Sequence, residues 1–269
     1  MDPFRRECLV APAIVIRAGL RPGRSSMPSR SRASLPSVVL FDMDDTLFDH
    51  RFAVRQALAR VRRGDPQLSR RSLGELIGEY DRLLEAVHPD VLAGRTTHSD
   101  ARRERFRQLF EWAGGSVDAP ALSEVASRYR DFYQASRRAV PGAPELLRWL
   151  RGRSVVGIVS NNHTAEQKDK LRALGIDRDI SFLLTSEDAG VEKPDPEIFR
   201  RALEIAGAKA ADAVMVGDNW DADVRGALAA GIRPIWLNPT RRPRPRGTAA
   251  VTEIRGLRPV REVGRRLLG

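Results

Sequence analysis

The sequence predicts an α/β fold, a doubly wound parallel sheet interrupted by an all-helical insert, and three observations lead there. Short apolar runs rich in β-branched residues recur along the chain, the pattern of strands buried on both faces. Helical patterns of about ten residues separate most of them, the alternation that builds parallel sheets. The first two runs are instead separated by more than a hundred residues. That interval is far longer than one crossover helix needs, and its apolar residues follow helical spacing.

The elements follow in chain order. Ser37-Val38-Val39-Leu40-Phe41 is the first strand, and it ends in the acidic cluster Asp42-Met43-Asp44-Asp45. In the insert, Leu73, Leu76, Ile77, Tyr80, Leu83, Leu84 and Val87 mark a helix over 72–87, with Ser72 and Glu75 spaced as a capping box. Helices over 99–112 and 122–133 repeat the pattern through Phe106, Leu109 and Phe110, then Val125, Tyr129 and Phe132. The later strands are expected at 155–159, 182–185 and 213–216, with weaker candidates at 235–237 and 251–254. Helices are expected at 143–150, 164–174, 196–206 and 222–230, and a last short one within 258–268. Residues 37–50 and 138–269 thus read as the core, 51–137 as a helical cap, and 1–36 as a basic, disordered extension. Insertion at the end of the first strand is expected to set the cap over the carboxyl ends of the strands, where open α/β sheets bind ligands.

Composition narrows the function classes. The net charge is +11, but residues 1–36 carry +5 and residues 241–269 carry +7, which leaves 37–240 at −1. A nucleic-acid-binding domain would be expected to carry its basic face on the folded body, so nucleic acid is not the expected partner. An alternative of that class rests only on the Arg-rich ends, including the loop 241–246. The single cysteine, Cys8, excludes an internal disulfide and fits a cytoplasmic setting. No apolar run approaches the ~18–20 residues of a membrane span. The short apolar stretch at 9–16 is broken by Pro12 and lacks a small-residue cleavage site, which disfavours a targeting peptide. A disordered extension, or a start at Met27, is the preferred reading.

Four clusters that carry chemistry fall at strand ends. They are Asp42-Met43-Asp44-Asp45-Thr46, then Ser160-Asn161-Asn162, then Lys193-Pro194, and last Gly217-Asp218-Asn219-Trp220-Asp221-Ala222-Asp223. Carboxylates crowded at one strand end are costly unless a cation neutralises them or one of them holds a proton. Simpler roles stand beside these: Ser160 as a helix cap, Lys193 as a loop lysine, Asp45 and Asp221 as solvated or capping acids. His88, His98 and His163 are expected at the surface.

These four motifs, in this order, resemble those of the haloacid dehalogenase superfamily, and the resemblance spans roughly residues 37–258. It implies a Rossmann-like core with a helical cap between the first and second motifs. It also implies a Mg²⁺-dependent phosphohydrolase that acts on a small phosphorylated metabolite through an aspartyl-phosphate intermediate. Asp42 would be the nucleophile and Asp44 the general acid and base. Ser160 and Asn161 would meet the substrate, and Lys193 would balance charge on the nucleophile and phosphoryl group. Asp42, the main-chain carbonyl of Asp44, and Asp218 would hold Mg²⁺. Asp223 would orient Lys193 or a metal-bound water, and Thr46 would brace the first turn through backbone hydrogen bonds. Phe48, Asp49 and His50, where the chain leaves the core, would border the substrate. A dehalogenase expels halide and has no use for the second aspartate of the first motif, which is present here as Asp44. A phosphosugar mutase or other phosphotransferase shares every motif and is the closer alternative.

Overall fold

The computed structural model describes residues 37–269, so the expectation of a disordered 1–36 extension lies outside the described residues. Strand β1 (Val38–Phe41) is buried along its whole length. Four helices follow before the next strand: α1 (His50–Arg63), α2 (Leu73–Leu92), α3 (His98–Trp112) and α4 (Ala119–Ala135). The rest of the chain alternates: α5 (Ala143–Leu150), β2 (Val155–Ser160), α6 (Thr164–Leu174), β3 (Phe182–Thr185), the one-turn α7 (Ser186–Ala189), α8 (Pro196–Ala206) and β4 (Ala213–Gly217). After a π-helical turn at Trp220–Arg225 come α9 (Gly226–Ala229), β5 (Arg233–Leu237), β6 (Thr252–Ile254) and α10 (Val260–Leu268).

All six strands pair in parallel, in the order β3-β2-β1-β4-β5-β6. From the central β1 the chain winds outward one way through β2 and β3, and the other way through β4 to β6. The loops after β1 and β4 therefore diverge, which is the switch point where doubly wound sheets leave a crevice. Side chains alternate across a strand, so Val38 and Leu40 pack with Ile198, Phe199 and Ala202 of α8, while Val39 and Phe41 are buried on the opposite face. Gly157 lets β3 approach: a Cβ there would lie 2.3 Å from the Phe182 ring.

The described residues divide into two compact units, 37–48 with 139–269 and 49–138. In the first unit the two ends of the interruption pair with each other: Phe48 bridges antiparallel to Ala139, and Val140 N donates to Leu47 O at 2.9 Å. In the second unit Asp49 N donates to Arg138 O at 3.0 Å, and the two side chains pair at 2.7 Å. Helices α1 to α4 enclose a core of Leu76, Tyr80, Leu83, Phe106, Leu109, Phe110 and Tyr129. Ser72 and Glu75 form both bonds of the capping box.

Three differences from the sequence reading have physical causes. Helix α1 lies in the stretch read as helical but had no bounds of its own there, because its buried stripe is made largely of small residues, Ala53, Val54 and Ala57 with Leu58 and Val61, between exposed arginines. Helix α2 continues past Val87 and through Pro89, whose missing N–H removes one bond without ending the helix. The helix expected at 222–230 is a π-helical turn followed by a single α-turn. There the Asn219 side chain accepts from both Asp221 N and Ala222 N, and Asp223 accepts from Asn219 N. Those side-chain bonds compete with regular helical ones.

Candidate active site

The loops after β1, β2 and β4, together with the segment before α8, bring most of the expected residues into one place. Asp42 is the first residue beyond β1, and its N–H donates to Val216 O at 2.9 Å, which extends the ladder by one step. Its carboxylate is buried. Lys193 Nζ lies 2.7 Å from Asp42 Oδ1 and 2.6 Å from Asp223 Oδ1, so one buried ammonium joins two carboxylates from different loops. Asn161, at the end of β2, grips the same lysine by its backbone. Its amide nitrogen donates to Lys193 O and its oxygen accepts from Lys193 N, each at 2.7 Å.

The remaining oxygen of Asp223 accepts from Asn219 N at 3.0 Å. It fills the space a side chain at position 217 would take, since a Cβ on Gly217 would sit 2.1 Å from Asp223 Oδ2. The glycine preceding Asp218 is therefore the mould for Asp223. Asp218, buried after β4, has Arg242 Nη2 at 3.2 Å from Oδ2, and its main-chain oxygen accepts from Trp236 Nε1 at 3.1 Å.

Ser160 ends β2 and is buried; its hydroxyl accepts from Gln167 Nε2 at 2.8 Å. The same amide donates to Asp44 Oδ2 at 2.9 Å, and Lys170 Nζ approaches Asp44 Oδ1 at 2.6 Å. The turn carrying Asp44 is closed by main-chain bonds, Leu47 N and Phe48 N to Met43 O and Asp45 N to Phe48 O. Thr46 departs from its expected role. Its hydroxyl is buried without a hydrogen-bond partner among the described residues, while main-chain bonds close the turn. Phe48 is wholly buried, Asp49 caps α1 by accepting from Phe52 N at 3.1 Å, and His50 Nδ1 lies 2.9 Å from the Tyr133 hydroxyl.

Electrostatics follow from burial. Asp42 is raised to about 7, chiefly because burial penalises its charge; Asp223 and Asp44 push the same way and Lys193 opposes. Asp223 is raised as well, again mainly by burial with Asp218 adding to it. Burial pulls Lys193 down, but Asp223 and Asp42 outweigh it and hold the ammonium charged beyond the usual lysine range. Asp42, Asp218 and Asp223 offer oxygens within 4.8 Å of one another. Three buried carboxylates against one buried ammonium leave an excess of negative charge, and hard oxygen donors suit Mg²⁺. Both oxygens of Asp223 are already engaged, which points to Asp42 and Asp218 as the carboxylates that would hold the ion.

Sequence reasoning missed Gln167, Lys170 and Arg242. The first two had a readable signal. Gln167, Lys170 and Leu171 form the buried stripe of α6 at three-and-four spacing, with Leu174 half-buried in the same series, so two polar residues occupy positions where apolar ones are the rule. Arg242 carried no such signal within its Pro/Arg-rich loop.

Among the described residues no helix is long and apolar enough to cross a membrane. Comparison with known proteins agrees with the geometry. Residues 36–231 match the haloacid dehalogenase-like hydrolase family. The chain is 30% identical over 223 residues to the pyrimidine 5'-nucleotidase YjjG of Escherichia coli, covering 81% of this chain and 93% of that protein. The crystal structure of the HAD-hydrolase YfnB of Bacillus subtilis bound to magnesium superposes with a TM-score of 0.67 at 26% identity, over 87% of this chain and 99% of that one. A 2-haloacid dehalogenase from Pseudomonas syringae superposes with a TM-score of 0.57 at 30% identity, over 86% and 98% of the two chains. The chain belongs to the haloacid dehalogenase-like hydrolases, and it is an enzyme of that superfamily.

Proposed function

We propose that this enzyme is a Mg²⁺-dependent phosphohydrolase of small phosphate monoesters that works through an aspartyl-phosphate on Asp42. The observation that carries the reading is Asp44, a second carboxylate two residues beyond Asp42, tied through Gln167 to the Ser160 hydroxyl. Halide departs as a stable anion and needs no proton, whereas an alkoxide does. The 5'-nucleotidase relative and the four strand-end motifs support the same choice over dehalogenation.

In this mechanism an Asp42 oxygen attacks phosphorus in line, and the bond to the leaving oxygen breaks as the acyl phosphate forms. Asp44 gives its proton to the departing oxygen. It then takes one from water, which attacks phosphorus, releases inorganic phosphate and restores Asp42. Lys193 offsets charge on Asp42 and the phosphoryl group, and the Ser160 hydroxyl donates to a phosphoryl oxygen. Asp223 holds Lys193 from the far side, and Asn161 fixes its backbone. Mg²⁺ would be held by Asp42, Asp218 and the main-chain carbonyl of Asp44, and it would supply the charge that lets a phosphate dianion approach these carboxylates. The substrate is a small phosphorylated metabolite, and the single cysteine supports a cytoplasmic setting.

The test is a panel of nucleoside monophosphates, sugar phosphates, phosphoserine and phosphoglycolate assayed for phosphate release with Mg²⁺ and with excess EDTA. A parallel arm follows halide release from 2-chloropropionate. Mg²⁺-dependent phosphate release without halide release is expected. Halide release alone, or full activity in EDTA, overturns the proposal. A phosphosugar mutase would use the same residues, and it is distinguished by transferring phosphate to a sugar rather than to water.

A further inference from the structure

Helix α6 carries two polar side chains on its buried face, and both reach the catalytic loop. Gln167 is fully buried and Lys170 nearly so. Lys170 Nζ meets one oxygen of Asp44 at 2.6 Å and Gln167 Nε2 meets the other at 2.9 Å. The Gln167 amide also donates to Ser160 Oγ at 2.8 Å, so one side chain connects the two groups assigned to proton transfer and phosphoryl binding. Lys170 Nζ lies 5.2 Å from the centre of the Phe48 ring, and the helix continues its stripe with Leu171.

Such a place is expensive for an ammonium. A well-packed apolar side chain of similar volume commonly serves stability as well as a buried ion pair or better, so stability does not account for a lysine here. What the lysine and glutamine supply is orientation. Asp44 lies on a turn and its side chain is partly exposed, so alone it would sample several rotamers. With one donor on each oxygen, the carboxyl group cannot rotate. A carboxylate offers about four acceptor directions, so these two bonds do not by themselves use up its capacity to carry a proton.

We propose that Gln167 and Lys170 are positioning residues for phosphoryl transfer: α6 holds the Asp44 carboxyl group and the Ser160 hydroxyl in a fixed relation to Asp42. The inference rests on the acid/base reading of Asp44. Displacing a reacting group by about 1 Å costs on the order of 10²-fold in rate, which is the scale of effect this arrangement controls.

The test uses Lys170→Met, which keeps the length and removes the charge, alongside Asp44→Asn and the double variant. Each is assayed with Mg²⁺ on an alkyl phosphate, whose leaving group needs a proton, and on p-nitrophenyl phosphate, whose leaving group does not. Lys170→Met is expected to lose about 10–100-fold in kcat on the alkyl ester and clearly less on the aryl ester. KM, Mg²⁺ affinity and melting temperature should stay near the parent values, and adding Lys170→Met to Asp44→Asn should cost nothing further. Equal losses on both esters, a change in KM alone, or a full additional loss in the double variant would overturn the role. If Asp44→Asn itself loses equally on both esters, the acid/base reading fails first and the two failures are told apart. Should Lys170→Met not fold, Gln167→Leu carries the same comparison, with the same ester dependence expected and equal losses overturning it.

Discussion

The two compact units bury opposite kinds of residue. At the carboxyl ends of β1, β2 and β4 the first unit encloses Asp42, Asp218, Asp223 and Lys193, each away from water and each held by another charge or a backbone amide. The second unit encloses aromatic rings, with Tyr129 packed 5.1 Å from Tyr80 and 5.2 Å from Phe106, and Arg105 stacked 5.0 Å from the Tyr80 ring. One unit stores electrostatic free energy that chemistry can use, and the other is held by packing and helix caps. Substitutions should therefore act differently in each.

The largest effect is expected at the proposed nucleophile. Asp42→Asn should lower phosphate release by about 10⁴-fold or more. Its melting temperature should hold, because burial already raises the proton affinity of Asp42 and Lys193 keeps Asp223 as a partner. Residual turnover near the parent rate in a clean preparation would remove Asp42 from the mechanism.

Lys193→Met comes next, and it is an effect on the fold itself. It leaves Asp42 and Asp223 buried without their cation and should cost about 3–5 kcal/mol in denaturant titrations. Below the raised proton affinity of these acids the loss should shrink, since protonated carboxyls need no partner. Breaking the exposed Arg225–Asp221 pair should cost at most about 1 kcal/mol. Comparable losses from both substitutions would erase the contrast between buried and exposed charge.

A smaller effect concerns pH. Asp42 titrates at about 7 in the folded metal-free protein, against a usual value of 3.8. Between those values the folded state binds more protons than the unfolded state. The Asp42 contribution to metal-free stability therefore falls as pH rises through that window and levels off above it. Mg²⁺ needs the ionised carboxylate, so its affinity should climb by up to about tenfold per pH unit below 7 and flatten above. Calorimetry in buffers of different ionisation enthalpy should show proton release on binding at pH 6. An affinity independent of pH would mean that Asp42 is already ionised there.

The smallest effect belongs to the helical unit. Ser72→Ala removes half of a capping box and should cost about 1 kcal/mol of stability, with Mg²⁺ affinity unchanged. A fall in metal affinity would show the units to be less separable than their interiors suggest.

The same contrast explains what could be read before the structure. The apolar runs of β1 to β4 announced themselves because strands buried on both faces need continuous Val, Leu and Ile, and Asp42 and Asp218 stood out as charges placed directly after them. Ser72 and Glu75 were legible because capping is local. Lys170 was legible only as a polar residue on the buried stripe of α6, and its role was not, since its partner Asp44 is 126 residues away in sequence. Arg242, from a loop that reads as a solvated basic run, reaches Asp218 only through the pairing of β5 and β6. The hydroxyl of Thr46 looked like a turn brace, yet it is buried without a partner among the described residues while main-chain bonds close the turn.

The closure of the interrupted chain has a consequence for descent. Leu47 and Phe48 pair with Val140 and Ala139, and one step further Asp49 pairs with Arg138, so the segment departs and returns at adjacent points. The length and content of residues 49–138 then impose nothing on the register of any strand, and lengthening such a loop adds only a slowly growing entropy. A lineage can exchange, extend or redecorate that segment while inheriting every strand pairing of the sheet unchanged. Natural variation in residues 49–138 is thus free to accumulate in one stretch of the gene, while the charged residues clustered beyond β1 and β4 stay under a separate constraint.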